Sequence, residues 1–239
     1  MKSWFGFLSV LLFSASSLGG EVYVKTKVHT DAMNIKGNTI PARDEIIEQW
    51  IGDGVMAHLS SKQHSIVNVK EKTMYLINPQ NKSYVQAELP LDFKKLLPQE
   101  VASMADMMKP TVTVTATKES KKIGQWNCTA YDMSISMMGN NVKTRVWATK
   151  DVPVDLAKYR ELYSNLLKSQ FMDQNSIKEL DKIDGFHILS DTSTEMMGSK
   201  MHSTVEVVEI SVKNAPAGTF QPPAGYTKKS SLALEDLSH

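Results

Sequence analysis

Beyond its first twenty residues the chain has no apolar run long enough to cross a bilayer as a helix, which takes about 20 residues. It has a single cysteine, Cys128, so no disulfide can form within the chain. A domain of this size does not need one to fold. Neither sign of charge is in excess: 27 Lys and Arg stand against 26 Asp and Glu. That balance excludes the basic stripe that nucleic acid demands. There is no Gly-x-Ser-x-Gly elbow, no His-Glu-x-x-His helix and no phosphate-cradling glycine loop. The six histidines show none of the paired spacings of a zinc site. These absences point away from an enzyme. No catalytic residue, metal ligand or cofactor is assigned.

What the chain does have begins at its start. Lys2 supplies a positive charge, Trp4 to Phe13 is apolar, and Ser14 to Gly20 is rich in small residues. This is the layout of a secretory signal peptide over residues 1–20, whose apolar part spans about ten residues. The mature protein is expected to be periplasmic or secreted, with no transmembrane segment. One folded domain is expected over 21–227, followed by a flexible polar tail over 228–239.

Alternation dominates the rest. Val22, Val24, Thr26 and Val28 share one phase, and Tyr23, Lys25 and Lys27 the other, which predicts a half-buried strand. Arg43–Ile51, Val55–Leu59, His64–Val69, Thr73–Ile77 and Ser83–Leu89 read as a meander. Its turns are Gly52-Asp53-Gly54 and Asn78-Pro79-Gln80-Asn81. A helical insert follows, with Val101, Met104, Ala105 and Met108 at helical spacing. Thr111–Thr117 alternates valine and alanine with threonine, and residues 118–124 read as a turn region. Strands are expected at Gln125–Met137 and Val142–Thr149. A long helix then runs from an Asp155 cap to Phe171, with a shorter one near Ser176–Lys182. The last hairpin pairs Phe186–Thr194 with Lys200–Lys213, and a slip of phase at Val207-Val208 marks a bulge. Helices set between runs of strands give an α+β fold. The expected form is a single strongly curved antiparallel sheet of about ten strands, an unclosed barrel with helices on its concave side.

Several of these segments together resemble a known group. They are Met74 to Tyr84 with its Asn-Pro turn, the Gly124-Gln125-Trp126-Asn127-Cys128-Thr129-Ala130-Tyr131 strand, the Trp147 to Asp151 strand end, and the Pro222-Pro223-Ala224-Gly225-Tyr226 close. The chain resembles an uncharacterised family of exported bacterial proteins with the fold of the LolA/LolB-like lipoprotein carriers. The resemblance implies an unclosed barrel with an apolar interior. Carriers of that group hold acyl chains there.

Methionine is the compositional outlier, with 14 residues. They gather at Met104, Met107 and Met108, at Met133, Met137 and Met138, and at Met196, Met197 and Met201. An unbranched thioether suits a pocket for ligands of variable shape, and it is also a soft ligand for copper(I). Ordinary core filling explains it too. Cys128 reads as a small buried hydrophobe, the histidines as structural or surface groups, and Glu45 and Glu48 as solvated. Residues placed at an apolar pocket are Met104, Met108, Met133, Ile135, Met137, Leu166 and Phe171. The leading expectation is a non-enzymatic binding protein for a lipid or lipidated ligand. The alternatives are a module that docks an envelope protein partner without any ligand, and copper(I) handling.

Overall fold

The computed structural model describes residues 20–35, 38–105, 109–196, 199–233 and 236. The signal-peptide expectation and three of the clustered methionines, Met107, Met108 and Met197, fall outside them.

The first half folds as the turn chemistry dictates. Five strands, β4 (Arg43–Ile51), β5 (Val55–Leu59), β6 (His64–Asn68), β7 (Thr73–Asn78) and β8 (Ser83–Glu88), form an antiparallel meander. A second meander joins β9 (Thr111–Ile123), β10 (Trp126–Met137), β11 (Asn140–Thr149), β12 (Phe186–Met196) and β13 (Ser199–Lys213). Between them lies β1 (Glu21–Thr30), antiparallel to β4 on one side and to β13 on the other. The short strands β2 (Met33–Ile35) and β3 (Asn38–Ile40) make a separate hairpin. At the far edge β14 (Thr227–Lys229) pairs parallel with β8, so the twelve-stranded sheet is mixed rather than wholly antiparallel, and it is not closed.

Three further differences from expectation have physical causes. First, β1 is not half-buried at its start: Val22, Tyr23 and Val24 are all buried. Val22 and Val24 enter the main core, while Tyr23 packs at a tilt against its cross-strand partner Trp50, with ring centroids 4.7 Å apart, on the other side of the pleat. Lys213 Nζ lies 3.5 Å from the Tyr23 ring centroid, and Ala215, Phe220 and Tyr226 cover the same cluster. Second, β9 runs on through the expected turn region to Ile123. Its Lys118, Glu119, Lys121 and Lys122 look like loop residues, but charge is how an edge strand avoids pairing with other chains. Third, packing does not stop at 227. Beyond β14, the Leu232 N–H donates to the Leu96 carbonyl at 2.7 Å and its side chain is buried, while Asn78 donates to Asp236. The bulge read from the sequence is present: Lys25 faces Glu209 and Thr26 faces Val207, which leaves Val208 as the extra residue.

The helices are α1 (Gln99–Met104), α2 (Leu156–Lys168) and α3 (Gln174–Leu180), with a 3₁₀ turn at Phe93–Leu96. Phe93, Leu96, Leu97, Val101 and Ala105 of the insert share one core with Val67, Met74 and Val85 of the first meander. Leu162 and Leu166 of α2 join that core. A second cluster gathers Val112, Val114, Tyr131, Val146 and Ala148 under Ile183. Ser176 Oγ of α3 donates to the Pro110 carbonyl and the Glu179 carboxylate accepts from the Val114 N–H, so α3 covers the start of the β9 edge.

Helix α2 begins where Asp155 Oδ1 accepts from the N–H groups of Ala157 and Lys158, at 3.1 and 3.2 Å. A carboxylate here satisfies two donors that have no partner within the helix. Asp155→Ala should cost about 1 kcal/mol. Urea denaturation followed by tryptophan fluorescence checks it, and an unchanged midpoint would mean that water satisfies those donors equally well.

Candidate ligand cavity

Because successive strand residues point to opposite sides, every second residue of neighbouring strands lines the same space. The register shows which rows meet. Gln49 on β4 faces Val24 on β1 and His58 on β5; Ile47 faces Thr26, which in turn faces Val207 on β13. Farther on, Val205 faces Ser190 on β12, and Thr144 on β11 faces both Thr192 and Met133 on β10. All of these residues line one cavity of about 390 Å³. It is touched by seven strands that are consecutive in the sheet, from β5 to β10, and Tyr159, Tyr163 and Leu167 of α2 also line it. The volume lies within the range of ligand pockets, about 300–1,000 Å³.

The lining is chiefly apolar, and it carries no Lys, Arg, Asp or Glu among the described residues. Its polar groups are all neutral ones. Tyr159 and Tyr163, four residues apart on α2, stack with centroids 5.4 Å apart at 15°. Tyr159 also leans on Phe186 at 4.9 Å. Burial raises both phenols above their ordinary range, so they stay protonated.

Two histidines line the same space, His58 from β5 and His187 from β12. Burial lowers each to about 4, which leaves both imidazoles neutral at neutral pH. For His58 the Glu45 carboxylate works against burial and His64 adds to it. The Nδ1 atom of His58 is enclosed and has no hydrogen-bond partner. Gln49, in the next strand, donates to Met56 Sδ at 3.2 Å and reaches the Tyr159 hydroxyl.

Of the pocket residues named from sequence, Met133 and Ile135 line this cavity. Leu166 is buried beside Leu162 in the main core and is not part of the lining. Phe171 packs edge-on against Phe93, 5.1 Å away, in a smaller pocket of about 240 Å³ with Leu91 and Met172. Met104 and Met137 are exposed. Met108 lies outside the described residues. The fully buried methionines are Met56 and Met74, neither in a cluster. Glu45 shares the phase of Ile47, is partly buried, and accepts from the Ser61 N–H and hydroxyl. Cys128 is a buried thiol, and burial raises its pKa. Among the described residues no group of three or more His, Cys, Asp or Glu side chains is placed to hold a metal ion. No described helix is long and apolar enough to cross a membrane.

Sequence reasoning missed the polar part of the lining: Gln49, His58, Tyr159, Tyr163 and His187. One signal was available. Gln49 keeps the phase of Ile47 and Ile51, so a polar side chain was set on the inward side of a strand.

The family described as a domain of unknown function (DUF4412) matches residues 47–226, about three quarters of the chain, and the protein belongs to it. The match starts within β4, so the central strand β1 precedes it. A solved structure titled "Structure of PNGF-II in C2 space group" is similar over 90% of this chain and 32% of its own, at 14% identity and a TM-score of 0.41. The chain thus spans about a third of that protein, and at that score the likeness carries no argument. No curated protein matches the chain.

Proposed function

We propose that the protein is an exported, non-enzymatic binding protein of the bacterial periplasm, and that its cavity takes the acyl chain of a lipid or lipidated ligand. The observation that carries this reading is the single cavity touched by seven consecutive strands and α2. A flat sheet of that width would not line one cavity, so the lining supports a sheet that curves around α2 as an unclosed barrel. That is the form of the LolA/LolB-like carriers, whose interior holds acyl chains. Burying a chain in such a lining contributes about 0.8 kcal/mol per methylene. The lining's lack of formal charge suits a hydrocarbon guest.

Native mass spectrometry of the protein, purified from the exported fraction without detergent, tests this. The expected result is an adduct of lipid mass that organic extraction removes. Val205→Trp, which fills the cavity from β13, should abolish the adduct while the protein still unfolds cooperatively. A bare mass in both proteins would sink the lipid reading. The search would then turn to an envelope partner.

A further inference from the structure

The cavity has neutral polar groups as well as apolar ones, and one of them, His58 Nδ1, has no partner. The His58 Nδ1 atom is enclosed without a hydrogen-bond partner, and the His187 ring lines the same cavity. A buried polar atom left without a partner is costly, which is why such atoms are usually satisfied. Gln49 and Tyr159 beside His58 complete a neutral hydrogen-bonding end in an otherwise apolar space. This arrangement discriminates between head groups. An anionic head would lie in a lining without any cation, and near His58 it would feel the Glu45 carboxylate. A buried charge without a partner costs several kcal/mol. A cationic head would find no carboxylate in the lining. A hydroxyl both donates and accepts, so it satisfies an imidazole nitrogen in either tautomer, whereas a carboxylate can only accept.

Building on the lipid reading above, we propose that the cavity selects an uncharged amphiphile: a single acyl or alkyl chain whose hydroxyl-bearing head hydrogen-bonds to His58 or His187. Free fatty acid anions and alkylammonium cations are rejected.

The test is displacement of a fluorescent apolar probe from the full-length mature protein at neutral pH. The competitors are dodecanol, monolaurin, laurate and dodecylamine, each below its micelle-forming concentration. The two uncharged competitors should bind at least about tenfold more tightly than the two charged ones. In His58→Phe, and separately in His187→Phe, the advantage of the uncharged heads should shrink by about threefold to tenfold in at least one variant. A cooperative urea transition in each variant shows that it folds, and each preference is read as a ratio between competitors against the same probe. Laurate binding as tightly as dodecanol overturns the inference and leaves the lipid reading standing. Equal preferences in the wild type and both variants also overturn it. If neither the probe nor any competitor binds the wild type, the lipid reading fails as well.

Discussion

Lowering the pH from about 7 to about 4 should remove on the order of 3 kcal/mol of stability for each of His58 and His187. The sign follows from where the protons go. Each imidazole ordinarily titrates at 6.5 but holds off to about 4 in the folded chain. Between those values the unfolded chain binds the protons and the native one does not. Stability is therefore full above 6.5, falls as the pH drops toward 4, and falls no further from this source below it. His29 has the opposite sign. Its bond to Asp44 raises it, with Asp31 adding to the effect, so it stabilises most at low pH and loses that contribution as the pH rises through its folded value. It sits at the surface, where solvent and salt screen such pairs, so the buried pair decides the outcome. The usual margin of a whole domain is about 5–15 kcal/mol, so the loss is a large part of it. Urea titrations at a series of pH values should show the midpoint falling through this window, and each His→Phe variant should flatten the fall by about half. A midpoint that holds steady down to pH 4 would show that neither ring is held neutral.

Gly185→Ala should destabilise the protein by about 3 kcal/mol or more. At φ +151 Gly185 adopts a backbone conformation that side-chain-bearing residues rarely take, and a Cβ there would sit 2.6 Å from the Thr149 carbonyl oxygen and 2.9 Å from the Thr149 nitrogen. These are backbone atoms at the end of β11, and Thr149 is buried and pairs with Phe186, so nothing nearby can give way. Gly139→Ala makes the control. Its φ of +79 also strains an added side chain, but no atom lies within 4 Å of the new Cβ. That change should cost about 1–2 kcal/mol. Chemical denaturation of the two variants separates the steric part from the conformational part. Equal losses would mean that the β11–β12 junction moves apart freely.

The local part of this architecture could be read from residues alone. Gly52-Asp53-Gly54 and Asn78 to Asn81 punctuate strands whose phase is unmistakable, and β4 to β8 fall within a residue or so of expectation. The bulge of β13 was legible because an inserted residue shifts every later side chain across the pleat. Long-range pairing was not, since nothing in Glu21–Thr30 says that it lies beside Arg43–Ile51 and Ser199–Lys213 at once. Strand β14 escaped notice because three residues carry too little pattern. The cavity was legible in half. Met133 and Ile135 follow from the alternation of β10, but His58 is a single residue in a five-residue strand and His187 a single residue near the start of β12. Their role depends on what stands across the space from them. Helical spacing placed Met104 at the pocket and strand alternation placed Met137 there, but the fold leaves both in solvent, because each lies at the end of its element, past the packed part of the face.

The central place of β1 sets an order on assembly. Each meander pairs strands that follow one another in the chain, so each can zip up as soon as its own residues are available. The seam between them cannot. Glu21 pairs with Lys213, so β1, which is made before both meanders, must wait for β13 before its second edge is filled. Until then β1 offers an open edge of alternating valines, the kind of surface that recruits other chains. Contacts so distant in sequence close slowly. A growing chain would spend that interval unfinished, and a chaperone that shields the exposed edge of Glu21–Thr30 would act at the point of greatest need.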